Sequence, residues 1–522
     1  MPQLQAQQPR ILAASSSSWM TKGNASWLAT AVGGTAFVAA STASAWMVYT
    51  HRTKRLGGSI VSGLLSPLFR RSRSLRSSSS SSKPQIATAP KSYYLDYNGT
   101  TPIYPEVFDA MEPYLKEHFG NPSSSHLFGT EPRIAIENAR RQILTQLLGV
   151  KDTAESNPGK NGLDLSAVWF TGCGTESDNL AVRLALMSAP SRSSASGGRQ
   201  KHIVTCNVEH PAIENYLRWL EEDQSDEIDG AVRSSGSIRV TRVPVNNEGR
   251  VSAEDVLKAI TPDTVLVTLM LANNESGALQ PVKEVAEECR RRGVLCHTDA
   301  AQAAGKVSIH LSDMGNPDMV TIVGHKIGAP KGIAALYVRP GCLNEHGRAF
   351  RANQSGVLLI GGGQEFGRRG GTENTPYIVG LGRAAELAQE HLERNAAHTE
   401  ELRGRLLDNL ERRLGAARVR ANGPGDPCQR LPNTLSVGLD GIRSSDLLSS
   451  VGHVVAASAG AACHSSGGSI SSVLVAMEVP ESFARGTLRL SVGPGTTLGD
   501  VDEASEIIAR AALSQWGEEG RA

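Results

Sequence analysis

The chain has 522 residues, of which 40% are hydrophobic and 20% charged, and its formal net charge is +1. That length exceeds one compact core and predicts two or more domains, while the near-neutral balance argues against bulk electrostatic binding of nucleic acid. Seven scattered cysteines with no C-x-x-C spacing argue against a disulfide framework and against a structural zinc site; no metal site is expected.

The first ninety-odd residues differ from the rest. No Asp or Glu precedes Asp96, whereas Lys, Arg and two serine runs (15–18 and 77–82) abound. Basic, Ser-rich and acid-free is the composition of an organelle transit peptide, so 1–92 is read as a leader directing the chain to a mitochondrion or plastid. Residues 27–50 carry no charge and are long enough to cross a bilayer, with HRTKR directly after them. Their Ala, Ser and Thr content makes them weakly apolar. A cleaved targeting segment is the expected reading and a retained membrane anchor through 27–50 the alternative.

Beyond Leu95 the pattern becomes regular. Residues 105–119 predict an amphipathic helix, with Val107, Met111, Tyr114 and Leu115 on one face, Pro105 in the first turn and Gly120 to stop it. Short apolar runs follow at 167–170, 202–206, 265–271, 293–298, 319–323 and 333–338. Helical segments such as 252–260 and 282–292 separate several of them. Strand, helix, strand at this spacing predicts an α/β fold with a mainly parallel sheet covered on both faces. Polar stretches at 188–200 and 223–237 read as exposed loops. A long charged helix over 378–414 opens what is expected to be a smaller C-terminal domain, 375–518, after an arm and large domain over 93–374.

Ligands in such sheets bind beyond the carboxyl ends of the strands. Here the first run is followed by TGCGTES and a helix, a turn whose free N–H groups at Gly174 and Thr175 suit a phosphate. The next runs are followed by His210, by Asn274, by Asp299 with Gln302, and by His325 with Lys326. Each has an ordinary structural explanation alone. Together they supply an amine for a Schiff base, a carboxylate for a pyridinium nitrogen, a flat ring, a phosphate seat and a phenolic-oxygen partner. That is the requirement of pyridoxal 5′-phosphate (PLP).

With those residues in place, the region from about Tyr93 to Trp516 resembles the cysteine desulfurase and selenocysteine lyase family, class-V enzymes of PLP fold type I. YLDYNGTTP, GNPSSSH, TGCGTESDN, VEH, LANNESG, HTDAAQ, GHKIGAPKG, GGGQE with GGTEN, LPNT, AGAACHS and LRLSVG carry the resemblance, in family order. It implies a large PLP-binding domain plus a smaller α+β C-terminal domain. It implies that Lys326 holds PLP and shuttles protons, that His210 stacks on the ring, and that Asp299 pairs with the ring nitrogen. Asn274 and Gln302 match positions near the ring oxygen; Gly174, Thr175 and His325 match phosphate ligands. Thr372 matches a phosphate contact made across a homodimer interface. Arg489 and Asn98 match substrate-binding positions, and Cys463 the cysteine that takes sulfur or selenium. The product is alanine, and the sulfur or selenium passes to an acceptor protein or is released.

The motifs divide on substrate. Val323 stands where many desulfurases carry a serine, and TENTP and AACHS also resemble the selenocysteine lyases. Pro211 after His210, and NPSSSH, lean toward the desulfurases. Phe366 replaces a usual arginine after GGGQE, and Cys173 a usual small residue in the phosphate turn. Selenocysteine lyase is the expected activity, with cysteine desulfurase feeding persulfide sulfur to cofactor assembly as the alternative.

Overall fold

The computed structural model describes residues 91–152, 162–188, 200–222, 238–343, 358–460 and 470–519. The body of the leader, the stretch 27–50 and Cys463 lie outside the described residues, as do most of the two polar stretches. Among the described residues no helix is long and apolar enough to cross a membrane. The described residues belong to one compact unit, Ala89–Ala522.

Its centre is a seven-stranded sheet. After a short strand of the N-terminal arm, β1 (Tyr93–Tyr94), its seven strands are, in chain order, β2 (Val168–Thr171), β3 (Lys201–Cys206), β4 (Ile238–Val243), β5 (Thr264–Thr268), β6 (Leu295–Asp299), β7 (Met319–Val323) and β8 (Ala334–Val338). The central sheet runs β2-β8-β7-β6-β5-β3-β4. From β7 to β4 all neighbours are parallel, while β8 lies antiparallel between β7 and β2. β2, β7 and β8 are buried at every position. A strand covered on both faces is mostly apolar, its polar exceptions Thr171 and Thr321 being hydrogen-bonded, which is why these read as near-continuous runs rather than alternating ones.

The covering helices carry their own start and stop signals. Val282–Arg292 has Glu284 in its first turn, three arginines in its last and Gly293 in a left-handed cap at φ 69°. Ser252 caps Ala253–Ala259 by accepting from the Asp255 amide. The predicted helix over 105–119 spans Pro105–Lys116. The helix after the phosphate turn begins at Gly174, four residues earlier than its apolar stripe suggests, and runs to Ser188. The expected long helix over 378–414 is two helices, Thr375–Glu390 and Leu392–Leu414, broken at His391 (φ −107°, ψ 7°).

A second sheet follows in the chain: β9 (Val419–Asn422), β10 (Thr434–Leu439), β12 (Ser458–Ala459) and β13 (Thr487–Ser491), antiparallel in the order β12-β13-β10-β9. Leu402, Leu406 and Leu410 pack against Leu435, Val437, Leu488, Leu490 and Ile508. The N-terminal arm joins this sheet's neighbourhood: β1 pairs in parallel with β11 (Val455–Ala456), and Asp96 bridges to Ser491. That pairing threads residues 96–101 between the two sheets.

Candidate active site

β6 and β7 are parallel neighbours, with Asp299 at the end of one and the Gly324–Lys326 turn following the other. The Gly324 amide reaches back to the Ile333 carbonyl, and a Cβ on Gly324 would come within 2.9 Å of Ile333, so the turn closes tightly. This aims Lys326 at the arm. Its Nζ donates to the Asn98 and Gly99 carbonyls, the latter at 2.8 Å. Burial, reinforced by Arg489 and opposed by Asp96 and Asp299, lowers its pKa from 10.5 to about 8.

Asp299 is buried and accepts from the Ala301 amide at 2.8 Å. Burial pushes its carboxyl up, and His210 and Lys326 hold it down. His210 follows β3 at the start of Pro211–Glu222. Its Nδ1 accepts from the Ala212 amide at 3.1 Å, which leaves Nε2 as the protonated nitrogen. Burial lowers its pKa, with opposing contributions from Asp299 and Lys326. The three groups are thus within electrostatic reach of one another. His325, pushed down to about 4 by burial, is a neutral imidazole bonded through Nδ1 to Thr100 Oγ1 at 3.1 Å.

The phosphate turn precedes the helix Gly174–Ser188. A Cβ on Gly174 would fall 2.6 Å from Val323 Cγ2, so the helix start is pressed directly on the end of β7. Thr175 and Cys173 are exposed there. Glu176 folds back onto the Gly172 amide (2.7 Å) and pairs with Arg369 (2.9 Å). Arg369 lies three residues before Thr372, and its pairing brings that loop to the turn. Thr372 itself is exposed.

Arg489, in the middle of β13, donates from Nη2 to Asp96 Oδ1 (2.7 Å) and to Ser458 Oγ (3.0 Å), and from Nη1 to the Asn274 carbonyl (3.3 Å). Its Nε is buried without a partner among the described residues. Asn98 is the hub of the arm. Its carbonyl accepts from Lys326 and Gln302, its Oδ1 from Lys306 and Asn433, and its Nδ2 donates to Thr434 and the Asn274 carbonyl. Gln302 therefore ties down the arm and Lys306 as well as standing near Lys326. A cavity of about 200 Å³ opens beside Lys326, lined among others by Tyr97, Tyr104, Lys306, His391 and Asn433.

Several residues of this site went unread in the sequence. Asp96, Lys306, Asp178 and Glu209 all stand in quoted motifs or beside them. Asp178 and Glu209 are buried carboxyls near Asp299, each pushed up by burial, Glu209 to about 8, and each with one oxygen lacking a partner among the described residues. Glu209 also accepts from the Met270 amide and from Cys206 Sγ, which fixes the turn that carries His210. A burial signal for these acids exists only in three dimensions.

The donor set fits PLP on its own chemistry. It offers an amine of lowered pKa, a buried carboxylate on the adjacent strand, an imidazole within electrostatic reach of both, a helix N-terminus and a guanidinium with an unsatisfied buried Nε. The chain matches the family model for class-V aminotransferases over residues 93–503. It is 39% identical over 416 residues to a protein named cysteine desulfurase from Trichormus azollae, covering 80% of this chain and 91% of that one. A solved NifS-like protein matches with TM-score 0.65 and 31% identity over 80% of this chain and 98% of its own. A solved structure titled SspA in complex with cysteine matches with TM-score 0.58 and 30% identity, covering 78% and 100%. The chain belongs to the class-V aminotransferase family, among its PLP-dependent selenocysteine lyases and cysteine desulfurases.

Proposed function

We propose that this protein is a cysteine desulfurase: it converts L-cysteine to L-alanine and passes the sulfur, through a persulfide on Cys463, to an acceptor protein. The observation that carries the reading is the meeting of Lys326, Asp299 and His210 with Arg489 around one site, in a chain whose relatives include a protein named cysteine desulfurase and one solved in complex with cysteine. The desulfurase names move the expectation away from selenocysteine lyase, which Val323 and the TENTP and AACHS motifs favoured. Val323 packs on Gly174 through Cγ2, so its side chain offers the phosphate turn van der Waals contact and no hydroxyl.

PLP, when bound, supplies an electron sink for the substrate's Cα. The chain's own residues do the rest. Lys326 Nζ, with its pKa near neutrality, holds the cofactor and carries the α-proton. Asp299, buried at the end of β6, would pair with the ring nitrogen, where burial strengthens an ionic contact. His210, its Nδ1 committed to the Ala212 amide, presents Nε2 for acid–base work. Arg489 takes the α-carboxylate on the N–H groups its protein partners leave free. Cys463, as thiolate, attacks the substrate sulfur: an S–S bond forms, the Cβ–S bond breaks, and its electron pair is protonated to give the alanine methyl.

A homodimer is part of the proposal. Phe119 and Phe128 stack at 6.0 Å while 72% and 61% exposed, and Leu127 beside them is 82% exposed. A contiguous apolar surface of this kind is what a second copy would cover. The deciding experiment measures alanine release from L-cysteine and from L-selenocysteine, with and without Cys463→Ala. Turnover of cysteine lost in the variant supports a desulfurase; turnover of selenocysteine alone, insensitive to the variant, supports the lyase; no alanine from either refutes both.

A further inference from the structure

Arg489 sits on a five-residue strand with a long, rotamer-rich side chain, and ordering such a side chain costs conformational entropy. The structure shows what fixes it. Asp96 Oδ1 accepts from Arg489 Nη2 at 2.7 Å and from Ser458 Oγ at 3.1 Å, and Nη2 donates to the same Ser458 Oγ at 3.0 Å. Carboxylate, hydroxyl and guanidinium close a triangle. The Asn274 carbonyl holds Nη1 at 3.3 Å. A guanidinium has five N–H groups, and these contacts use three, leaving the Nε proton and one on Nη1 for an incoming anion.

Asp96 is itself held by backbone. The Leu95 carbonyl accepts from the Ser491 amide (2.8 Å), and the Tyr97 amide donates to the Ser491 carbonyl (3.1 Å), so the arm is laced to β13 two residues from Arg489. On the other side the chain turns back, with the Gly99 amide on the Asp96 carbonyl at 2.9 Å. The Asp96 carboxylate fills the space a side chain on residue 99 would need: a Cβ there would stand 2.4 Å from Oδ2. The carboxylate therefore stands on a fixed backbone against the cation it orients.

We propose that Asp96 is a positioning residue for substrate: with the Ser458 hydroxyl, its carboxylate holds the Arg489 guanidinium in the orientation that receives the amino acid's α-carboxylate. The inference rests on the reading of Arg489 as the carboxylate site. It differs from a competitor model, in which Asp96 occupies the guanidinium and substrate must displace it. The two make opposite predictions, because an asparagine keeps the accepting oxygen and the size but loses the charge.

The test uses the holoenzyme and two readouts, the calorimetric Kd for the product L-alanine and the KM and kcat for L-cysteine. Asp96→Ala removes the holder, so Kd and KM are expected to rise about tenfold or more with kcat within about twofold, the pattern of lost uniform binding. Asp96→Asn is expected to return both to within about threefold of the parent. Ser458→Ala, which leaves the strand pairing intact, is expected to raise Kd in the same direction by a smaller factor, and it carries the test if Asp96→Ala does not fold. Tighter alanine binding in both Asp96 variants overturns the proposal in favour of competition. Parental Kd in Asp96→Ala or, if that variant does not fold, in Ser458→Ala overturns it too, as does a fall in kcat with KM unmoved. Failure of the underlying reading looks different: Arg489→Ala would then bind alanine as well as the parent.

Discussion

The lowered pKa of Lys326 has a measurable consequence for cofactor capture by the apoenzyme. The amine reacts with the PLP aldehyde only when neutral. At pH 7.4 an amine of pKa about 8 is neutral in about one molecule in five, against about one in a thousand at the ordinary 10.5, a gain of about 250-fold in reactive form. The two carbonyl acceptors on Nζ favour the charged amine and so act against the shift that burial drives. The capture rate, followed by visible absorbance and by mass after borohydride trapping, should rise with pH through an inflection near 8 and level off above it. The charges around the amine fix the direction of further shifts. Arg489→Ala removes a cation that disfavours protonation, so the inflection should move up. Asp299→Asn and Asp96→Asn remove anions that favour protonation, so it should move down. An inflection near 10 in the parent, unmoved by Arg489→Ala, would refute the reasoning.

Other outcomes follow from the same contacts. Arg140 and Glu365 form a buried ion pair at 2.6 Å, with Glu365 also accepting from the Phe170 amide at 2.9 Å; Glu365→Ala should cost about 3–5 kcal/mol in urea denaturation, because it strands a buried guanidinium. A loss below about 1 kcal/mol would show that the pair is not desolvated. Phe128→Glu should shift the protein toward monomer in sedimentation velocity and leave its circular dichroism unchanged, and an unchanged sedimentation coefficient would remove the apolar surface from the dimer proposal. Lys326→Ala should abolish borohydride-trappable PLP as well as alanine release. Trapping on another lysine would reassign the amine.

The sequence read most clearly where one physical demand dominated. Met319–Val323 matches its expected bounds because a strand buried on both faces is apolar at nearly every position. Val282–Arg292 matches because its apolar spacing, its basic last turn and Gly293 agree. Ile238–Val243 was missed. It is an edge strand reading IRVTRV, two arginines among its apolar residues, and an edge tolerates what a centre does not. The single long helix over 378–414 was wrong for the opposite reason: nothing in the local pattern at His391 forbids a helix, yet its ψ of 7° breaks the run there.

The candidate site divides along the same line. Lys326, Asp299, His210 and the phosphate turn were legible because a parallel sheet delivers every strand end to one edge, so local order in the chain implies proximity in space. Asp96 and Arg489 are 393 residues apart, and Lys306 and Asn98 are 208 apart. No periodicity connects them. What does is the two-residue strand β1 beside β11, too short to announce itself, which carries the arm across the site. Asn98 then commits its carbonyl, its Oδ1 and its Nδ2 to six partners on four separate segments. An asparagine so fully engaged has no hydrogen-bonding capacity left for a substrate unless one of those partners withdraws. The contacts of Asn98 hold Lys326, Lys306 and the second sheet in register, and under the proposal that Asp96 orients Arg489 the substrate's carboxylate falls to the free N–H groups of that guanidinium.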